Sequence, residues 1–346
     1  MNYAQKTAAI QIEICHSHFT GVALNNSKPK NSQDFIDLLN QIFFPKQQEA
    51  MKEIGVNSRF VHYTNAETAT KMLQNREWWL RDPSCMNDYK EIYHGLQCIE
   101  QSLSIETSTL KTTLDSLYPN LTHDILHILS NPAITPTKNI YIGCISKHDP
   151  AEDEHGRLSM WRAYGKGNGI AIVLKPEPIF YSPGILNLST SKVFYEDHQE
   201  VNKAMETMAE QINKFKSELK LLNKQQLIKI LISKFRELAF ATKHPGFKEE
   251  QEWRLLYDAS LNPSPHMTKS IETINGVSQI VYKVPLRTTE DGIKTGGEIP
   301  ELFDRLIIGP TQYPKAIQEA FIELLSNAGV SDAHSKVVIS GIPLRT

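Results

Sequence analysis

The chain has 346 residues, 40% of them hydrophobic and 22% charged, and a net charge of −2. Those proportions exclude a disordered or fibrous chain, and the length suits one large domain or two ordinary ones. A charge so near balance excludes a molecule that attracts nucleic acid over its whole surface, while leaving room for a local basic groove.

The four cysteines, Cys15, Cys85, Cys98 and Cys144, form no CxxC pair. That spacing argues against a zinc site and against a disulfide framework. The first residues lack the basic start, apolar core and small-residue cleavage site of a secretory signal. No apolar run approaches the roughly 20 residues of a membrane span. A cytoplasmic protein without membrane contact is the expectation.

Residues 1–55 read as a helical N-terminal extension. Phe35, Leu38, Leu39, Ile42 and Phe43 recur at helical spacing behind Ser32, a residue suited to an N-cap, and Pro45 interrupts the run. A strand over 59–64 leads directly into a helix over 67–75. Residues 78–83 read as extended up to Pro83, and Asn87-Asp88 precede a further helix. Residues 105–131 are helical. Residues 139–146 and 169–175 are strands rich in β-branched residues, separated by a polar loop and a short helix that stops at Gly165. A strand over 191–196 follows. Residues 198–243 read as a Lys/Glu-rich helical excursion broken near Asn223, with a solvated helical face favoured over a phosphate-tracking one. Strands are predicted over 252–258, 278–286, 304–310 and 335–340, with a helix over 313–329 ended by Gly329. Strands and helices fall in blocks rather than in strict alternation, so the fold class is α+β.

Several polar side chains gather at strand ends. His62, Tyr63 and Thr64 close the first strand, Ser146 ends another, and Trp161 and Tyr164 lie one helical turn apart. Strand ends are a usual place for ligand-binding groups. In "KEEQEWR", period-two geometry predicts Glu250, Glu252 and Arg254 on one face, with Trp253 buried behind. Paired carboxylates can do acid–base work or stabilise a cationic transition state. The alternative is a solvated strand face with Glu–Arg pairing. The glycines 165, 167 and 169 precede a strand rather than a helix, which excludes a dinucleotide fingerprint, and no Walker loop, HExxH or GxSxG occurs.

The ordered set resembles a bacterial family filed as a domain of unknown function. Its elements here are His62-Tyr63-Thr64, Leu80-Arg81-Asp82-Pro83 with Asn87-Asp88-Tyr89-Lys90-Glu91, Cys144-Ile145-Ser146, Trp161-Arg162-Ala163-Tyr164 with Gly169-Ile170-Ala171-Ile172, and Glu250-Gln251-Glu252-Trp253-Arg254. The resemblance covers about residues 59–346. That family in turn looks like a distant relative of the ADP-ribosyltransferases, which include nucleic-acid-modifying toxins. The resemblance implies a split β-sandwich over 56–346, interrupted by the helical insertion at 198–243.

It also implies NAD as cofactor. His62, with Tyr63 and Thr64, would hold the ribose. Tyr164 or Ser146 would support the nicotinamide, with Arg254 among the cofactor contacts. Glu252 would be catalytic, and Glu250 would orient or deprotonate the acceptor. The implied activity is mono-ADP-ribosyl transfer to a macromolecule, nucleic acid or protein, by a toxin or anti-phage effector, with an antitoxin or chaperone as a further partner. The alternatives are an NAD glycohydrolase on the same scaffold and a non-catalytic module that binds a nucleotide or a protein. His62 and Glu252 are expected on neighbouring strands, facing one cleft.

Overall fold

The computed structural model describes residues 32–86, 89–106, 108–130, 139–180, 184–260, 263–274 and 276–343. Residues 1–31, with Cys15 and the first part of the predicted extension, and the Asn87-Asp88 pair lie outside the described residues. The longer helices are α1 (Ser32–Phe43), α2 (Pro45–Lys52), α3 (Ala66–Asn75), α4 (Tyr89–Ser104), α5 (Thr109–Leu117), α6 (Leu121–Leu129), α7 (Leu158–Tyr164), α8 (His198–Lys214), α9 (Lys224–Phe240) and α10 (Pro314–Asn327). The strands are β1 (Arg59–Asn65), β2 (Glu77–Arg81), β3 (Ile140–His148), β4 (Gly169–Leu174), β5 (Ser189–Lys192), β6 (Phe194–Tyr195), β7 (Thr242–Lys243), β8 (Glu252–Asp258), β9 (Thr268–Ile274), β10 (Val277–Pro285), β11 (Phe303–Ile308) and β12 (Val337–Ile339). Mixed helix and strand of this kind is α+β, as the sequence predicts.

The chain divides into two compact units and passes between them several times. Among the described residues, the first unit takes those of 32–51, 83–140 and 192–248. It is mainly helical: α4 packs on α9, and α8 on α5. Leu96, Ile99 and Leu103 of α4 and Leu227, Leu231 and Phe235 of α9 are all buried, because each set recurs at the spacing of one helix face. Gly95 lets the two helices meet closely, since a Cβ there would lie 2.5 Å from the carbonyl oxygen of Ala239. Asp197 and Asn223 close capping boxes with Glu200 and Gln226 and so set where α8 and α9 begin. The predicted excursion 198–243 is helical as far as Phe240. It then ends in β7, which pairs in parallel with β6, so the strand-free span is shorter than expected.

The second unit comprises residues 52–82, 141–191 and 249–346 and holds the main sheet. Among the described residues that sheet has ten strands in the order β12-β11-β4-β1-β3-β2-β10-β9, with β8 pairing to both β3 and β5. β4 is buried along its whole length, as its unbroken apolar run Gly169-Ile-Ala-Ile-Val-Leu174 requires. β1 lies beside β4 in antiparallel register, with His62 opposite Ile172 and Thr64 opposite Ile170. Asn65 ends β1 and caps α3, its side chain accepting from the Thr68 N–H at 2.9 Å, and Arg76 closes α3 in a left-handed conformation.

Two sequence expectations differ here. The single strand predicted over 191–196 is two short pieces, β5 and β6, because the chain changes pairing partner there: β5 pairs with β8 in the main sheet and β6 with β7 in a two-stranded sheet. β9 is a strand that the sequence reading leaves out. It is mostly exposed, and its residues alternate without an apolar face.

Candidate functional site

Side chains alternate along β1, so Phe60, His62 and Thr64 share one side while Val61 and Tyr63 share the other. Tyr63 is buried, its ring 4.9 Å from that of Trp161 in edge-on contact. Its hydroxyl accepts the Arg157 backbone N–H at 2.8 Å. Burial pushes the phenol up to about 12. Val61, Tyr63, Met160, Trp161, Ala171, Val173 and Ile307 form one core cluster, and Tyr164 packs against it. Tyr63 is therefore a core residue with a satisfied hydroxyl.

His62 is held differently. Its Nδ1–H donates to the Cys144 carbonyl at 2.9 Å, and its ring lies 5.0 Å from that of Trp78. A carbonyl can only accept, so Nδ1 carries the proton and Nε2 is the acceptor nitrogen. Burial lowers the basicity of this imidazole, against the opposing pull of the Cys144 carbonyl. The backbone register of β1 with β3 runs from Arg59↔His148 to Val61↔Ser146, and His62 continues the tie to β3 through its side chain.

On β8, Glu252 is 3% exposed and Arg254 1%. The Arg254 Nε–H donates to Glu252 Oε1 at 2.7 Å and its Nη2–H to Oε2 at 3.2 Å, a two-pronged pairing that fixes both side chains. Trp253, between them, points to the other side, buried as predicted. Its ring lies 5.6 Å from Phe60, with Phe180 against both. Four residues on, Tyr257 packs 4.9 Å from Tyr282. Tyr282 pairs with Leu80, two residues from the Trp78 that touches His62. Trp253 and Tyr257 thus face the His62 side of the sheet. Glu252 and Arg254 face the opposite side, the one that carries Val61 and Tyr63. Ser146 joins them there, because it is buried directly opposite Val61 in the β1–β3 ladder.

The predicted residues therefore separate into two groups. Tyr63, Ser146, Glu252 and Arg254 share one side, with Tyr164 packed on the cluster there. His62 and Thr64 lie on the other. The expectation of His62 and Glu252 on neighbouring strands and in one cleft is corrected on both points. β3 pairs with both β1 and β8, and alternation sends the two side chains to opposite sides.

Glu250 also requires correction. It ends a 3-10 segment, Pro245–Glu250, and β8 starts only at Glu252. Gln251 between them has φ +46°, a left-handed conformation that a non-glycine residue adopts infrequently. Period-two alternation does not extend through such a residue, so Glu250 does not continue the face of Glu252.

Sequence reasoning missed Arg157, which fixes this corner. It is 8% exposed at the N-cap of α7. Its guanidinium donates to the carbonyls of Glu249 (2.7 Å), Glu250 (3.1 Å) and Lys147 (3.1 Å) and to both carboxylate oxygens of Glu152 (2.8 and 3.1 Å). It ties the polar loop, the end of β3 and the segment entering β8 into one network. A lone arginine after "AEDEHG" carries no sequence signal for that role. Asp153 sits in a second network with Arg59, Arg305 and His148. Burial opposes its ionisation, but the His148 and Arg59 hydrogen bonds outweigh burial and hold its carboxyl below the usual range.

Residues 160–255 match the model of a family described as a protein of unknown function (DUF2971). The matched span begins on α7 and ends on β8, so it includes Trp161, Tyr164, Gly169 and the Glu252–Arg254 pair. No curated protein and no solved structure matches the chain. Among the described residues no helix is long and apolar enough to cross a membrane.

Proposed function

We propose that the second unit carries NAD-dependent mono-ADP-ribosyl transfer centred on Glu252, as a toxin or anti-phage effector that modifies a macromolecule. The fold that goes with this reading is an ADP-ribosyltransferase-like split β-sandwich. The observation that carries it is the state of Glu252. Its carboxylate is ionically paired, fixed by both prongs of Arg254, and reached through the left-handed Gln251. A buried charge and a strained backbone at one point are features of functional sites.

The chemistry follows from a carboxylate held in this way. The bond between nicotinamide nitrogen and ribose C1′ breaks, nicotinamide leaves with the electron pair, and positive charge develops on the sugar. A fixed carboxylate stabilises that charge without reorganising. The acceptor then bonds to C1′ and gives up its proton, for which this reading takes Glu250, two residues before Glu252 in sequence, as the base. Tyr63 and Ser146 share the sheet side of Glu252. His62 and Thr64 leave the set that this reading requires, because they face the other way.

The second reading, a non-catalytic module that binds a nucleotide or a protein partner, is favoured by that same separation and by the near-complete burial of Glu252. Incubation of the full chain with labelled NAD and, separately, RNA, DNA and cell lysate tests the choice. Label on one macromolecular fraction supports transfer. Release of nicotinamide with no labelled acceptor supports the glycohydrolase. No turnover of NAD in any mixture supports the binding module.

A further inference from the structure

We propose that His94, Cys98 and His198, in the helical unit, form a binding site for a zinc-like divalent transition-metal ion. His94 and Cys98 are four apart on α4 and so share a face. His94 Nε2 and Cys98 Sγ are 3.7 Å apart. A tetrahedral zinc site with metal–nitrogen and metal–sulfur bonds of about 2.1 and 2.3 Å puts such atoms about 3.5 Å apart. His198 comes from a distant stretch of sequence. The Asp197 capping box makes it the first residue of α8 and brings its ring 5.5 Å from that of His94. One ligand atom from each of the three residues lies within 4.8 Å of the other two.

A second observation points to a ligand. Nδ1 of His198 is shut off from solvent and has no hydrogen-bond partner. A buried, unpaired ring nitrogen is costly unless something fills its place. A metal ion bonded to that lone pair would do so, which ordinary helix packing does not. His94 Nε2 also lies 3.0 Å from the Glu196 carbonyl, so binding there exchanges that contact for the metal and moves the ring proton to Nδ1. Cys98 binds as thiolate and releases its proton. Three protein ligands leave a fourth position for water or a further side chain. The His244 ring lies 5.7 Å from that of His94.

Imidazole and thiolate together suit Zn2+ and its spectroscopic substitute Co2+. The absence of CxxC does not bear on a set in which a single cysteine joins two histidines.

The test is titration of chelator-treated full-length protein with Co2+, followed by absorbance. The expected result is stoichiometric binding with a thiolate-to-cobalt charge-transfer band, and with visible bands of tetrahedral intensity. Cys98→Ser should remove the charge-transfer band, and His198→Ala should weaken binding at least tenfold, both with unchanged circular dichroism. His123→Ala, which alters an exposed histidine pair on α6, should leave the spectrum unchanged. Absence of a charge-transfer band in the unaltered protein, or its survival in Cys98→Ser, would overturn the proposal. So would a His198→Ala spectrum and affinity equal to the parent's.

Discussion

Glu252 and Arg254 stand two residues apart on β8 and close a two-pronged ion pair, 2.7 and 3.2 Å, almost wholly out of water. A buried pair of this kind penalises the loss of one partner more than the loss of both, because the remaining charge keeps its desolvation cost while losing its two-pronged counter-charge. Arg254→Met should destabilise the chain by about 3–5 kcal/mol. The Glu252→Gln/Arg254→Met double variant should lose less than the sum of the single losses. Urea unfolding of the parent, both single variants and the double variant measures the coupling. Additive losses would mean that the pair does not act as a unit.

Arg157 should prove a structural arginine that lysine cannot replace. Its planar head serves three carbonyls and a carboxylate at once, and an ammonium has neither the donor number nor the fork geometry. Arg157→Lys and Arg157→Ala should both cost about 1.5–3 kcal/mol, the range for losing hydrogen bonds to a charged group. The backbone of residues 249–251 should also exchange its amide hydrogens faster. Full stability in the lysine variant would contradict the role.

The legible part of the fold was its apolar part. β3, β4 and β11 are runs rich in β-branched residues, and the structure places strands where those runs predict them. The pairing of Glu252 with Arg254, and the burial of Trp253 behind them, followed from period-two geometry. The site as a whole did not follow. Period-two geometry puts Glu250 in the strand, because nothing in "EEQEW" announces a left-handed Gln251. His62 and Glu252 look like partners in one cleft only from the linear motifs, since sequence does not reveal which side of a sheet each strand presents or that β3 lies between them. His94, Cys98 and His198 stayed invisible because the chain brings them together only through helix packing.

Gly169 and Gly309 should resist alanine. A Cβ on either would lie 2.7 Å from Cε3 of Trp161, and the indole is fixed by its N–H bond to the His155 carbonyl at 2.8 Å. The close approach accounts for a glycine at the start of β4 without any appeal to phosphate binding. Gly309→Ala should cost about 1–3 kcal/mol through overpacking. Trp161→Phe in the same chain should recover part of that loss. Equal stability of Gly309→Ala and parent in urea would show that the indole gives way.

Stability should decline with acid before any carboxylate is protonated. Burial lowers the basicity of His62 and of His148, so between their folded and unfolded values the unfolded chain holds more protons than the folded one. Stability therefore rises with pH in that window. The contribution is complete above the ordinary histidine value of about 6.5 and is lost as pH falls below it. Asp153, held below its usual range, adds a further loss as pH falls below about 4. His62→Gln keeps a donor for the Cys144 carbonyl and should reduce the difference between urea midpoints at about pH 7.5 and about pH 5.5. An unchanged difference would remove His62 from the account.

The central claim is that Glu252 performs chemistry on NAD. Its most direct test is nicotinamide release from NAD by the parent chain and by Glu252→Gln, each checked for native circular dichroism and melting. The account predicts measurable release by the parent and a loss of at least a hundredfold in the glutamine variant, which keeps native circular dichroism but melts at a lower temperature because Arg254 loses its paired carboxylate. A folded parent that releases no nicotinamide in the presence of lysate and nucleic acid, or a folded Glu252→Gln that releases it at the parent's rate, would contradict it.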